Sequence, residues 1–154
     1  MVIPTEEAEV GTIRSEITIN RPVQTVYDYF ANPDRDIARA TPEIESVERL
    51  SPGPTAPGST FRFVHAGGPV RESTSRFTVV RPQRELQFDG VVGALRPRNK
   101  LTFEASDGAT TVRFAGEGNP TGPLRLISPL VSMMGRRLWR ERLAKAKAFL
   151  EAGQ

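Results

Sequence analysis

The chain has 154 residues, of which 38% are hydrophobic and 25% are charged, and its formal net charge at pH 7 is +3. This length fits one domain, and the apolar content is too high for a disordered chain. The sequence contains no cysteine and a single histidine, His65. These two counts exclude disulfides, a thiolate nucleophile, a cysteine-based metal site and any metal site that needs two histidines.

The positive charge is concentrated near the C-terminus. Residues 1–117 carry 14 basic and 16 acidic side chains, whereas residues 118–154 carry seven basic and two acidic ones. A basic segment of this kind fits either the solvated face of an amphipathic helix or a surface for nucleic acid or anionic membrane. Because no nucleic-acid-binding motif accompanies it, we expect a solvated helix face and no nucleic-acid partner.

Targeting and membrane signals are weak throughout the sequence. No apolar stretch approaches the roughly 18 residues that a transmembrane helix needs. The first nine residues include three acids and no basic region, unlike a signal peptide. We therefore expect a cytoplasmic protein without integral membrane association, with an N-terminal extension at residues 1–10 and a single domain at residues 11–152.

The first predicted elements are one strand and two short helices. Residues 11–20 alternate between apolar and polar side chains, which predicts a half-buried strand. Pro22 suits the first turn of a helix, and apolar residues at helical spacing follow it as far as Phe30. A second short helix is predicted over residues 33–40, ended by Pro42.

From residue 43 the hydrophobic period changes to two, which predicts a series of strands. The breaks between them are short, and Asp107-Gly108 is a strong signal for a two-residue hairpin. The series is therefore expected to form an antiparallel meander. Its predicted strands lie near residues 43–51, 59–66, 70–81, 84–92, 98–106 and 109–118.

A long C-terminal helix is predicted from about residue 124, where the spacing returns to 3.6. Pro129 either bends this helix or marks a later start. The elements together predict an α+β, helix-grip fold, in which a curved seven-stranded antiparallel sheet wraps around the long helix. The expected buried side of the helix comprises Leu124, Ile127, Val131, Met134, Leu138, Trp139, Leu143, Ala146, Phe149 and Leu150.

Six of the eight phenylalanines lie on the predicted strands, and strict alternation places most of them on one concave face. Two interpretations stay open at this point. The aromatic side chains either fill a core between sheet and helix, or they line an apolar cavity that a strongly curved sheet leaves unfilled.

The order of elements and several local patterns resemble the START-like SRPBCC superfamily, in its polyketide cyclase/dehydrase branch. The resemblance spans about residues 12–151, and it departs from the family pattern at residues 37–42, where relatives often carry a Trp before a Pro-Gly-Val turn. The segments that carry it are 17–30, Asn32-Pro33-Asp34, 57–61, 108–113, 120–126 and 136–151.

The resemblance implies a deep cavity between sheet and C-terminal helix, which relatives use for lipids, polyketides, quinones, hormones and other hydrophobic molecules. It carries no universal catalytic set. The expected ligand-binding residues are Phe61, Phe63, Ser73, Ser75, Phe77, Phe88, Phe103 and Phe114 from the strands, with Met134 and Leu138 from the helix.

His65 is the candidate catalytic residue, because it has the same parity as Phe61 and Phe63 and is expected to face inward. An imidazole in an apolar pocket has a lowered pKa and can exchange protons near neutral pH. The same histidine could instead hydrogen-bond a ligand carbonyl, or stand at the pocket rim without any chemical role.

Three hypotheses for function follow. The first is binding of a small hydrophobic, lipid- or polyketide-like ligand, and the second is a polyketide cyclase, aromatase or dehydratase that uses the same cavity. The third is an interaction module, for example with the ribosome, that uses the basic helix face. We expect no cofactor and no metal, a small hydrophobic molecule as the partner, and a monomer or weak homodimer.

Overall fold

The computed structural model of the protein describes residues 12–153. The predicted N-terminal extension therefore lies outside the described residues. The strands are β1 (Thr12–Ile19), β2 (Ile44–Arg49), β3 (Thr60–His65), β4 (Glu72–Arg81), β5 (Glu85–Val91), β6 (Arg98–Ser106) and β7 (Ala109–Glu117). The α-helices are α1 (Val23–Ala31), α2 (Pro33–Ala40) and α3 (Ser128–Glu151), and a 3-10 helix covers Gly122–Ile127.

All seven strands form one antiparallel sheet in the order β1-β7-β6-β5-β4-β3-β2. Strands β2 to β7 form the predicted meander, and β1 joins it beside β7. The helices α1 and α2 connect β1 to β2, which are the two edges of the sheet. These features confirm the predicted α+β, helix-grip fold.

The hairpin between β6 and β7 shows how local sequence sets the register. Asp107 and Gly108 both have positive φ angles, of 51° and 81°. Two consecutive residues of this kind form the type of turn whose twist matches that of paired strands. The register then pairs Leu101 with Phe114, so that both side chains lie on the face turned toward α3.

The second half of α3 packs tightly into the grip of the sheet. Leu143, Ala146 and Leu150 have exposed fractions of only 1%, 0% and 2%. Their spacing places all three on one side of the helix, as predicted. This end of the helix forms one wall of the hydrophobic core.

Hydrogen bonds tie the end of α3 to the end of β1. Arg21 Nη1 donates to the carbonyl of Leu150 at 2.5 Å, and Lys147 Nζ donates to the carbonyl of Thr18 at 2.7 Å. The Glu151 carboxylate accepts from the backbone N–H of Asn20 and from Lys147, both at 2.7 Å. A cation beside the last carbonyls of a helix also interacts favourably with the helix dipole.

A second polar cluster fastens the long β2–β3 connection to the junction of α1 and α2. The Arg49 guanidinium donates to Asp34 and Asn32 at 3.2 Å and lies 4.8 Å from the ring centroid of Phe61. Thr55 Oγ1 donates to the carbonyl of Ala31 at 2.7 Å. The Asn-Pro-Asp motif therefore has a structural role in this chain.

The first half of the C-terminal helix differs from the prediction. A 3-10 helix replaces its first turns, and α3 begins at Ser128 with Pro129 in its first turn, so Pro129 marks a later start. The expectation that Met134 and Leu138 lie on the buried side is wrong, since they are 63% and 44% exposed. Ile127, which is 43% exposed, is a further error in that expectation.

Two close approaches show which side of this half of the helix faces the sheet. A Cβ atom on Gly135 would lie 3.0 Å from Ile13 Cδ1, and one on Gly118 would lie 3.2 Å from Val131 Cγ1. Glycine at these positions lets α3 lie against β1 and the end of β7. Met134 lies about 100° around the helix from Gly135, away from this contact.

Candidate ligand-binding site

Five aromatic rings form a continuous series across the concave face of the sheet. Phe61 contacts Phe77 with ring centroids 5.7 Å apart, and Phe77 contacts Phe88 at 5.8 Å. Trp139 of α3 lies 6.1 Å from Phe88 and stacks on Phe114 at 4.1 Å, with an angle of 14° between the rings. The indole therefore bridges helix and sheet at the middle of α3.

The sequence leaves open whether the aromatic side chains fill a core or line a cavity. Around Trp139 they fill a core. Phe103 belongs to this packed region, with its ring centroid 5.5 Å from that of Tyr27 and 5.9 Å from that of Phe30. Helical periodicity predicts Trp139 on the buried side of the helix, but Trp139 is not among the predicted ligand-binding residues. Its spacing of four residues from Leu143, on the same helix face, is the signal that places it there.

Most of the predicted ligand-binding residues of the strands lie on the helix-facing side, with varied burial. Phe61, Ser73, Phe77, Phe103 and Phe114 are buried, whereas Phe63, Ser75 and Phe88 are half-buried. Met134 and Leu138 are exposed. Of the strand residues, Phe88 and Phe114 contact Trp139, and the role of the predicted residues in ligand binding stays a prediction.

Beyond Trp139, toward the start of α3, apolar side chains are exposed to solvent. The grip is the contact between the C-terminal helical segment and the sheet. We call residues 126–138 of this segment the open half of the grip, and residues 139–151 the closed half. The exposed apolar side chains of the open half are Leu126 at 87%, Met134 at 63%, Met133 at 56%, Leu130 at 46%, Leu138 at 44% and Ile127 at 43%.

His65 stands at the end of β3 and faces Ser73 of β4. Its Nε2 lies 2.9 Å from Ser73 Oγ, and the residue is half-buried. Burial lowers the pKa of His65, and the positive charge of Arg142 lowers it further. The imidazole is therefore neutral at pH 7, with a hydroxyl group as hydrogen-bond partner, and it can accept a proton from an acidic ligand atom.

A small cavity of about 20 Å³ lies where α3 meets the segment after α2. Thr41, one of residues 37–42 where the sequence departs from the family pattern, lies in this segment and is 5% exposed. The volume suffices for one water molecule or one oxygen atom of a ligand. The cavity is lined by Thr41, Glu43, Leu138, Glu141, Arg142 and Lys145.

Arg142 is a polar residue of this region that is absent from the predicted site. Its charge predicts a position on the basic outer face of the helix, but its Nε atom is buried without a hydrogen-bond partner. Its guanidinium carbon lies 5.6 Å from the ring centroid of Trp139. Burial lowers the pKa of Arg142, while the nearby Glu43 raises it. Its spacing of three residues from Trp139 and four from Leu138 could have indicated this position.

Tyr29 lies on the α1 side of the same region and is 4% exposed. Burial raises the pKa of the Tyr29 phenol to about 12, so this hydroxyl is protonated at neutral pH. Tyr29 can therefore donate a hydrogen bond but does not act as a base.

A larger groove, of about 430 Å³, lies on the opposite side of the sheet. Its lining includes Gln87, Asp89 and Lys100, which alternate along their strands with the inward-facing Phe88 and Leu101. This groove is polar and open, and the predicted site residues do not line it. Within residues 12–153 no group of three or more His, Asp or Glu side chains is placed to hold a metal ion.

Comparison with protein families identifies the chain. The family described as polyketide cyclase / dehydrase and lipid transport matches residues 11–151. The chain belongs to this family. The match covers the same span as the resemblance seen in the sequence and confirms it.

Solved structures share the fold at low sequence identity. TTHA0849 from Thermus thermophilus has a TM-score of 0.74 and 18% identity, covering 93% of this chain and 99% of its own. Norcoclaurine synthase from Thalictrum flavum has a TM-score of 0.66 and 13% identity, covering 91% and 86%. Comparison with curated proteins finds no matching sequence. Among the described helices, none is long and apolar enough to cross a membrane.

Proposed function

We propose that this protein binds a small, largely apolar molecule against the open half of the grip, with Trp139 as the floor of the site. The observation that carries the proposal is the run of exposed apolar side chains on residues 126–138. Large contiguous apolar patches are rare on soluble monomers and mark interaction or ligand sites. Methionine at two of these positions suits adaptable contact with a ligand.

The family and its structural neighbours support a ligand of this class. The family description covers polyketide cyclases, dehydrases and lipid transport. The neighbouring norcoclaurine synthase is known in complex with dopamine and hydroxybenzaldehyde, which are small aromatic molecules. In this chain the half-buried rings of Phe88 and Trp139, with centroids 6.1 Å apart, offer aromatic contact of the same kind.

A second candidate function is catalysis of a proton transfer on such a ligand. The His65–Ser73 pair favours it, since the imidazole is neutral at pH 7 and half-buried. In a cyclase- or dehydratase-type reaction this imidazole would remove or return a proton, while the shape of the site holds the substrate. An interaction with another macromolecule through the basic helix face stays a further prediction. The exposed arginines of that face include Arg136, Arg137 and Arg140.

Titration with N-phenyl-1-naphthylamine, a neutral apolar dye, tests ligand binding. Trp139 is the single tryptophan of the chain, so energy transfer from it to the dye reports that the dye is bound to the protein. We expect saturable binding with transfer from Trp139. Absence of saturable binding would overturn the proposed function.

A matched pair of variants locates the site. Leu138 and Leu50 have almost the same exposure, 44% and 46%, but Leu50 follows β2, outside the open half. We expect Leu138→Ser to weaken dye binding about fivefold, from the loss of part of a buried leucine, and Leu50→Ser to leave it unchanged. Equal effects of the two substitutions would place the dye elsewhere.

A further inference from the structure

Arg142 has a polar group that the protein itself leaves unpaired. Its Nε is buried, and no hydrogen bond from its guanidinium is formed within residues 12–153. A buried donor without a partner costs about 1–3 kcal/mol, and more when the donor is charged. Such an atom in a native structure calls for a partner that completes it.

The acidic side chains around Arg142 already have other partners. The Glu43 carboxylate accepts hydrogen bonds from Lys145 Nζ at 2.6 and 2.7 Å. Glu141 pairs with Arg137, with Nε and Oε2 3.2 Å apart. Both acids that line the small cavity are therefore bound to cations other than Arg142.

The surroundings of Arg142 join an apolar surface to a polar recess. The guanidinium lies beside the ring of Trp139, and Arg142 also lines the 20 Å³ cavity. Leu138, one turn earlier, lines the same cavity and belongs to the open half. A molecule that covers the open half and Trp139 would thus reach Arg142 with one end.

We propose that Arg142 binds an anionic group, such as a carboxylate or an enolate, at one end of the apolar ligand. This inference rests on the proposed function and narrows the ligand to an aromatic or aliphatic acid. Arginine presents a planar set of donors that match a carboxylate, and bonds between two charged groups are the stronger ones. The small cavity has room for one oxygen atom of that group.

The first test uses the unaltered protein and two ligands of nearly equal shape. Sodium 2-naphthoate and 2-naphthamide differ in charge but share the naphthalene body. In isothermal titration calorimetry we expect the naphthoate to bind about tenfold more tightly or better, because a charged acceptor strengthens the bond to arginine. Naphthoate binding that is no tighter than that of the amide would overturn the inference and indicate that water suffices for Nε.

The neutral dye separates this inference from the proposed function. If N-phenyl-1-naphthylamine binds but the naphthoate binds no more tightly than the naphthamide, the apolar site is supported and the anion-binding role of Arg142 is excluded. If the dye also fails to bind, the proposed function falls with it.

Two arginine variants assign the preference to one side chain. Arg142→Gln removes the charge next to Trp139, whereas Arg140→Gln removes one from the exposed side of the same helix. We expect the preference for naphthoate over naphthamide to fall to about twofold or less in the first and to persist in the second. A preference that survives in Arg142→Gln would overturn the assignment, and the unaltered protein decides the charge preference even if this variant folds poorly.

Discussion

The apolar side chains of the two halves of the C-terminal helix have opposite environments. In the closed half, Leu143 and Leu150 are 1% and 2% exposed, and the last turn is hydrogen-bonded to the end of β1. In the open half, Leu130 and Met134 are 46% and 63% exposed, and the contacts that fix the helix run through Gly135 and its neighbours.

This difference suggests that the two halves of the helix stabilise different states of the protein. Burial in the closed half contributes to the free energy of folding of the chain alone. The apolar surface of the open half remains available, so its burial can contribute to the binding of a ligand instead. Substitutions that separate folding from binding therefore test the comparison directly.

The largest expected effect is that of Leu143→Ala. Because Leu143 is 1% exposed in the closed half, we expect the free energy of unfolding to fall by about 2–5 kcal/mol. Met134→Ala, in the open half, is the control and should change it by less than about 0.5 kcal/mol. Urea denaturation followed by circular dichroism measures both. Comparable losses in the two variants would contradict the division of the helix.

Trp139→Phe tests the boundary between the halves. The substitution removes part of a ring stacked on Phe114 at 4.1 Å, so we expect a loss of about 1–2 kcal/mol in the free energy of unfolding. Phenylalanine keeps an aromatic surface at the floor of the proposed site, so binding of N-phenyl-1-naphthylamine, followed by the dye's own fluorescence, should weaken by less than about threefold. A larger loss would show that the dye depends on the indole more than on the apolar side chains of the open half.

The fold could be predicted almost completely from the sequence, because each element carries its own local signal. The alternation around Phe61 and Phe77, the Asp107-Gly108 turn and the prolines at 22 and 33 act over a few residues. These signals predict the strands and hairpins of the seven-stranded sheet, but not the register shifts near Ile44 and Phe77.

The site could be predicted only in part, because it depends on the distance between helix and sheet. Met134 and Leu138 precede Leu143 by nine and five residues, which places them about 180° and about 140° around the helix from it. The expectation groups them with Leu143, but they are exposed, whereas Gly135 lies close to Ile13 of β1. Arg142 has the charge of an outer-face residue and a buried Nε. Periodicity indicates which residues share a face but not what that face meets.

Arg21→Ala tests the polar fastening of the closed half. Arg21 Nη1 donates to the carbonyl of Leu150, so its loss should lower the free energy of unfolding by about 1 kcal/mol. Arg125→Ala, in the 3-10 helix that precedes α3, is the matched control and should have an effect below about 0.5 kcal/mol. Equal effects in urea denaturation would mean that the fastening at Leu150 contributes nothing specific to the closed half.

The smallest expected effect is a difference in pH response between His65 and Glu151. At the end of β3, burial lowers the pKa of His65 below its usual value of 6.5, so the unfolded chain binds a proton at a higher pH than the folded one. The contribution of neutral His65 to the free energy of unfolding is therefore fully present above about pH 6.5 and is lost as the pH decreases below it. In the closed half, the hydrogen bond from Lys147 lowers the pKa of Glu151 from 4.5, and that contribution is lost only at lower pH.

Urea denaturation at several pH values between about 7 and 5 separates the contribution of His65 from that of Glu151. The unaltered protein is compared with His65→Gln. In this range we expect the unaltered protein to lose stability as the pH falls and His65→Gln to lose less, because glutamine does not titrate and can still bond Ser73. Below about pH 4.5 the two proteins should decline in parallel, since both retain Glu151. Identical slopes between pH 7 and 5 would show that the pKa of His65 is the same in the folded protein as in the unfolded chain, which would contradict a buried, neutral imidazole beside Ser73.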